Sequence, residues 1–190
     1  MPTEPLPAAA QDQDDISDGP PRAVLIAALV IAVVAIGAIL VIAATRSTPT
    51  QPVAIASVPA PQADSPDCHA LVEAVPGKLG GADRAAAMEP VPAGTAAWRA
   101  DADGDAVILR CGIDRPAEFV VGSPIQMVNQ VQWFRLDDTA TDRSTWVSVD
   151  RPVYVALTLP SGSGPTPIQA VSDLIARTLP AVAIRPGAAR

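Results

Sequence analysis

Residues 23–44 form an uninterrupted apolar run, AVLIAALVIAVVAIGAILVIAA, which limits what the rest of the chain can become. The run contains no charged residue, no proline and no polar side chain. A helix of this length, at 1.5 Å rise per residue, is roughly 33 Å long and matches the hydrocarbon thickness of a bilayer. Backbone polar groups inside lipid must bond within their own segment, so the run predicts one transmembrane helix that contacts the lipid bilayer directly.

Two alternatives to a permanent signal-anchor remain to be weighed. A cleaved signal peptide has a shorter apolar core, closely followed by a small-x-small cleavage site. Here the run is longer and Ala54-Ile55-Ala56 lies some distance beyond its end, so the sequence favours an anchor but leaves cleavage open. A buried core helix normally keeps a polar face, and this run has none.

The segments that flank the run are poor in bulky apolar residues. Residues 1–22 are rich in Pro, Ala and Asp, and we expect a disordered acidic tail because they cannot bury enough surface to offset ordering. Residues 45–64 carry four prolines, a pattern that forbids a helix and predicts an extended linker. The organisation predicted is therefore a tail (1–22), a transmembrane helix (23–44), a Pro-rich linker (45–64), a folded domain (65–185) and a loose C-terminus (186–190).

Charge and cysteine usage narrow the partners and the compartment. The net charge is −7 and no basic cluster occurs, which argues against nucleic acid as a partner. The only two cysteines, Cys68 and Cys111, both follow the apolar run. Such a pair in a compact domain predicts a disulfide in an oxidising compartment, with two unpaired buried thiols as the alternative. We therefore expect a single-pass plasma-membrane protein with a cytoplasmic N-terminus and an extracytoplasmic domain.

Two helices are predicted at the ends of this domain. Ser65 can cap a helix with Pro66 in its first turn, and Pro76-Gly77 sets its latest end. A second helix begins near Thr166-Pro167-Ile168-Gln169, which has the form of a capping box, and ends at Pro180. Its predicted buried stripe has helical spacing and consists of Ile168, Val171, Leu174, Ile175 and Leu179.

Strands are predicted between these helices. Residues 106–111 alternate so that Cys111 shares the core face with Val107 and Leu109, whereas Arg110 points to the opposite face. Residues 130–136 form another strand, and 145–159 alternate with one parity, interrupted at Arg151-Pro152 by an edge, a bulge or the join of two strands. Residues 77–81 are expected to be a loop. The order predicts an α+β fold, a single small domain whose antiparallel sheet is covered by N- and C-terminal helices.

The residues between Cys68 and Arg151 also carry a family resemblance. Cys68-His69-Ala70-Leu71, the turn at Trp98, Val107-Ile108-Leu109-Arg110-Cys111-Gly112, Val131-Gln132-Trp133, and Trp146 before Arg151-Pro152-Val153 are similar to an uncharacterised actinobacterial family of membrane or secreted proteins, domain of unknown function 3515. The resemblance implies an envelope location and paired cysteines. It implies no activity.

No catalytic, cofactor or metal site is predicted from the remaining motifs. Asp101–Asp105 has carboxylates in a calcium-like pattern, but its glycine comes fourth and a polar turn explains it. The single histidine, His69, adjoins Cys68 and is expected on the surface of a helix end. Arg110, Trp98 and Trp133 are the candidates for surface contact, with ion pairing of the arginine and packing of the tryptophans as the alternatives.

The expected function is accordingly a non-enzymatic binding or accessory module that contacts an envelope protein or a wall component. Two alternatives stay open. One is an envelope hydrolase with paired carboxylates, and the other is a sensor of a small ligand or a metal.

Overall fold

The computed structural model describes residues 22–45, 51–101 and 104–189, with side chains only to residue 40 in the first range. The predicted tail, apart from Arg22, and residues 46–50 of the predicted linker lie outside the described residues. The chain divides into two compact units, Met1–Ser47 and Thr48–Arg190.

The first unit contains helix α1, Arg22–Thr45. Its segment Arg22–Leu40 has a mean hydropathy of 3.1, and all of its described side chains are exposed. A helix of this length and composition, near the N-terminus, is suitable for a signal-anchor or a transmembrane span.

The second unit is built on one antiparallel sheet of eight strands, in the order β1-β2-β3-β4-β8-β7-β6-β5. Each neighbouring pair for which a register is given runs antiparallel, from the hairpin β1–β2 at one edge to β5–β6 at the other. The strands are β1 (Lys78–Leu79), β2 (Ala82–Ala85), β3 (Thr95–Arg99), β4 (Ala106–Ile113), β5 (Ile125–Val128), β6 (Val131–Asp138), β7 (Arg143–Ser148) and β8 (Tyr154–Pro160).

Two helices cover one face of this sheet, as the α+β prediction requires. Helix α2, Pro66–Glu73, begins at Ser65, whose hydroxyl accepts a hydrogen bond from the Cys68 amide at 3.3 Å. Helix α3, Thr166–Thr178, buries the whole predicted stripe against the sheet. We call this side the helix face. Its core includes Leu109, Val155 and Leu157, all fully buried.

A disulfide joins α2 to the centre of the helix face. Cys68 and Cys111 are bonded with a Cα–Cα distance of 5.5 Å, and neither residue is exposed. The predicted alternation of β4 is confirmed, because Val107, Leu109 and Cys111 all belong to the helix-face core. The predicted pairing of the cysteines is therefore present in the fold.

Part of the predicted linker packs on the opposite, open face of the sheet. Val53 and Ile55 are buried in a cluster with Ala97, Ala106 and Ile108, and Val53 forms a parallel bridge with Ala87. Residues 51–64, here called the strap, therefore belong to the folded domain and are not a free spacer. Alternation of the apolar side chains at 53 and 55 is the sequence signal that the proline content obscured.

Gly112 marks where the strap lies closest to the sheet. Its φ is +81°, and a Cβ atom built there would lie 2.3 Å from the carbonyl carbon of Gln62. The amide of Gln62 also donates to the Gly112 carbonyl at 3.1 Å. Only glycine fits both the backbone conformation and this close contact without displacing the strap.

Several strand predictions need correction. Residues 78–79 within the predicted loop form β1, and Trp98, which was expected at a turn, lies in β3. Strands β2, β3 and β5 were not predicted. Residues 145–159 form two strands, which was one of the expected alternatives. Their odd-numbered apolar residues do not all lie on one face of the sheet, although the sequence predicted that they would. Ser148 pairs with Val155 and Val147 with Ala156, so Val147 lies on the open face and Val155 on the helix face.

Both helix and chain ends also differ from expectation in detail. The N-cap of α3 is Pro165 and it makes no side-chain hydrogen bond, so the predicted capping box is absent. The C-terminal residues predicted to be loose are bonded at Gly187, whose amide donates to the Phe119 carbonyl at 2.8 Å and whose carbonyl accepts from the Val121 amide at 3.0 Å. The final segment therefore covers the loop before β5 up to residue 187.

Candidate functional site: a groove on the open face of the sheet

The open face carries a groove of about 440 Å³ between the strap and the loop at residues 114–118. Its floor comes from four adjacent strands, because alternate residues of antiparallel strands share a face and paired residues lie side by side. Arg110 on β4 pairs with Ala156 on β8, which pairs in turn with Val147 on β7. The floor residues are Arg110, Ala156, Thr158, Thr145, Val147 and Leu136.

The walls of the groove come from segments outside the sheet. Val58 and Pro59 of the strap line one side, and Val58 is 44% exposed. Asp114, Arg115 and Glu118 line the other side and are exposed. The floor combines three apolar residues with two threonines and one arginine, whereas the rim carries charges of both signs.

Arg110 is the charged residue of the floor, and it is half-buried. Its Nη2 donates to the Ala56 carbonyl at 3.4 Å, which is a long hydrogen bond, and its Nε is buried without a partner. None of the described carboxylates lies within 4.0 Å of its guanidinium nitrogens. Among the described residues, the arginine is therefore held in the groove without a counter-charge.

Burial, followed by repulsion from Arg143, lowers the pKa of the Arg110 guanidinium below its usual value. Arg143 forms an ion pair with Asp105, so its own charge is compensated. Desolvation disfavours the charged form of a cation that has no anion beside it. An anionic group entering the groove would relieve this cost. Arg110 is therefore the residue of the groove floor that is suited to bind an anionic ligand.

The three residues predicted for surface contact have two different outcomes. Arg110 lies on the opposite strand face from Cys111, as predicted, and the expected alternative of a surface ion pair is wrong within the described residues. Trp98 and Trp133 have no exposed surface, so the prediction that they contact a partner is wrong for both. Their indole nitrogens donate to the Pro76 carbonyl at 2.8 Å and to the Ser172 hydroxyl at 2.9 Å, which identifies them as core residues.

Arg84 lies over the Trp98 ring at 5.0 Å and closes its outer side. Partial burial lowers the pKa of this arginine.

His69 is exposed on α2, as expected, and lies next to a disulfide-bonded cysteine that is not available as a nucleophile. No group of three or more potential metal ligands occurs among the described residues, which leave out Ala102 and Asp103 of the acidic motif.

A second cavity of about 640 Å³ lies at the start of α3, beside β5, β6 and β7. Its lining includes Trp146, one of three tryptophans that the sequence offered for a ligand groove, with core packing as the alternative. Arg135 lies 5.3 Å from the centre of the Trp146 ring and forms an ion pair with Asp137 at 2.7 Å. The Trp146 indole donates to Ser144 at 3.2 Å. Arg135 therefore has a carboxylate partner in the described structure, whereas Arg110 has none.

Comparison with known proteins bears on the family alone. No significant match is found among curated proteins or among solved structures. One protein family, described as "Protein of unknown function (DUF3515)", matches residues 29–184, a range that includes most of α1 and nearly all of the folded domain. The chain therefore belongs to the DUF3515 family of proteins of unknown function.

Proposed function

We propose that this protein is a membrane-anchored, extracytoplasmic binding module of the cell envelope, and that it binds its partner in the Arg110 groove. The observation that carries the proposal is the half-buried guanidinium without a counter-charge, on a floor that has no other charged residue. A purely structural arginine is normally paired with an acid or closely hydrogen-bonded when it leaves water, whereas Arg110 has, within the described residues, one long hydrogen bond, to Ala56, and a buried Nε without a partner. Exposed apolar surface beside a fixed charge is typical of interaction sites.

The location is inferred from two independent features. Helix α1 is long and apolar enough to span a bilayer. The buried disulfide favours an oxidising compartment for the domain, because cytosolic thiols are usually kept reduced. Together they support a single pass through the plasma membrane with the N-terminus in the cytoplasm. The partner is then an envelope protein or a wall component.

The proposal is tested by chemical crosslinking in intact native cells, followed by purification through a tag on the N-terminal tail. The matched control is a chain that ends at residue 50 and so keeps α1 without the folded domain. We expect a specific envelope component to be recovered with the full chain and lost with the control. Recovery of the same components with both chains would contradict a binding role for the domain.

A further inference from the structure

The Arg110 groove has a composition that defines the chemistry of its occupant. The floor offers one guanidinium, whose described hydrogen bonding is limited to the 3.4 Å contact with the strap. A carboxylate can accept hydrogen bonds from both terminal nitrogens of an arginine, and such charge-assisted bonds are stronger than neutral ones. The electrostatic complement of the floor is therefore a single anionic group.

The surroundings of Arg110 define what must accompany this anion. Val147 is 1% exposed and Ala156 is 3% exposed, so these floor residues are already packed, and the exposed apolar surface of the groove is on its wall at Val58, which is 44% exposed. Thr145 and Thr158 lie one row further along the strands, with their hydroxyl oxygens 3.0 Å apart. An occupant that fits this row has aliphatic groups next to its anion and polar groups within reach of the threonines.

A protein segment satisfies these conditions better than a lipid does. The groove is open to solvent along its length and has a charged rim, whereas sites for acyl chains enclose most of the ligand surface. A peptide backbone carries donors and acceptors that can use the threonine hydroxyls and the water at the rim. Its aliphatic side chains can cover the exposed wall residues Val58 and Pro59.

We infer that the groove binds a segment of another envelope protein in which one carboxylate, from Asp, Glu or a C-terminus, is flanked by aliphatic side chains. The carboxylate accepts hydrogen bonds from the terminal nitrogens of Arg110, and the flanking side chains cover Val58 and Pro59 on the wall of the groove. This inference rests on the proposed function, because it names the partner chemistry of the same groove.

The first test separates a binding arginine from a structural one. Full-length protein in detergent micelles is compared with Arg110→Met, which keeps an apolar stem of similar length and removes the charge. A cation that is retained for a ligand destabilises the empty domain, so we expect the melting temperature to rise by about 2–4 °C. Arg135→Met is the matched control; it removes an arginine with an ion pair and should leave the melting temperature unchanged or lower.

A fall in melting temperature for Arg110→Met would overturn the inference, since the arginine would then serve to hold the strap through Ala56. The same result would not affect crosslinking of the domain to a partner. The stability test therefore distinguishes failure of the inferred chemistry from failure of the proposed function.

The second test identifies the occupant in native cells. A photo-crosslinking residue replaces Thr158 in the groove, and the captured segment is mapped by mass spectrometry. We expect a protein segment with an acidic residue or C-terminus between aliphatic residues, and roughly tenfold or greater loss of capture with Arg110→Met. Replacing the acidic residue of that segment with its amide should reduce capture to a similar extent.

The contradicting outcomes are distinct. A captured lipid, a glycan or a protein segment without a carboxylate would overturn the inferred chemistry but leave a binding role for the groove. Capture that is unaffected by Arg110→Met would do the same. No capture from Thr158, with equal recovery by the full chain and the chain ending at residue 50, would overturn both proposals.

Discussion

Loss of the Cys68–Cys111 bond is expected to destabilise the domain more than most single changes. The two residues are 43 positions apart in sequence. In the chain-entropy model, opening a loop of this size releases unfolded-state entropy equivalent to about 4 kcal/mol at 25 °C. A folded unit of about 140 residues has an unfolding entropy near 0.3 kcal/mol/K, so the melting temperature should fall by roughly 14 °C.

The comparison should separate the cross-link from the packing of the sulfur atoms. Reduced wild-type protein, refolded under reducing conditions, keeps both buried sulfur atoms and loses only the bond. Cys68→Ala/Cys111→Ala also removes packed atoms from the core and should lose about 1–2 kcal/mol more. The difference between the two samples measures the packing contribution.

The assay is chemical unfolding of the full-length chain in detergent micelles, followed by tryptophan fluorescence. All three tryptophans lie in the folded domain and none in α1, so the signal reports the domain alone. We expect a lower unfolding midpoint for the reduced protein, and a larger slope where its unfolded state is more expanded. A loss below about 1 kcal/mol, with the bond verified by mass in the oxidised sample, would refute the loop-entropy argument.

Three further predictions concern the packing that positions the groove, each measured by the same unfolding assay. Gly112→Ala should lower the free energy of unfolding by more than about 2 kcal/mol because a Cβ atom there would meet the strap. Gly162 has a similar φ of +74° but open space around it, so Gly162→Ala should cost only about 1–2 kcal/mol, and equal losses would contradict the strap contact. Ser172→Ala should cost about 1–3 kcal/mol because a buried indole loses its acceptor at 2.9 Å, and a neutral result would be inconsistent with that bond. Arg151→Met should lower the free energy of unfolding by about 3–5 kcal/mol, because it leaves the carboxylate of Asp150, 4% exposed, without the guanidinium that lies 3.0 Å away. This loss should be much smaller in a protein that also carries Asp150→Asn, and additive losses would argue against the ion pair.

Local sequence signals predicted those elements whose formation depends on neighbouring residues. Ser65 and Pro66 predict the start of α2, and the stripe from Ile168 to Leu179 predicts the buried side of α3. Alternation in β4 places Cys111 on the core face and Arg110 on the other. Strands repeat every two residues and helices every three to four. These patterns are visible within one segment, so the sequence of that segment is enough for the prediction.

The predictions that failed depend on pairing between distant segments. The parity of residues 145–159 changes because the register at the β7–β8 turn pairs odd-numbered with even-numbered residues, as Ser148 with Val155. The strap was missed because Val53 acquires its burial from β2, β3 and β4, which the linker sequence alone does not indicate. Scarcity of aromatic residues favoured core packing of Trp98 and Trp133 but did not decide it, because the acceptors that hold their indole groups lie 22 and 39 residues away.

The Arg110 groove illustrates the same limit for function. Alternation predicts the face on which the arginine lies, but its lack of a counter-charge depends on the register of β8 and on the position of the strap. Neither can be obtained from the residues around 110. The site therefore became recognisable only from the fold.

The most direct test of the account is the location of the folded domain in intact native cells. A reporter cysteine replaces Met127, which is 63% exposed, and a second chain carries Ala9→Cys in the N-terminal tail as the matched control. Both native cysteines are bonded and buried, so a membrane-impermeant maleimide should react only with an added thiol. If the domain is extracytoplasmic, Met127→Cys should be labelled in intact cells and Ala9→Cys only after lysis. Labelling of the tail and protection of the domain in intact cells would contradict an extracytoplasmic binding module.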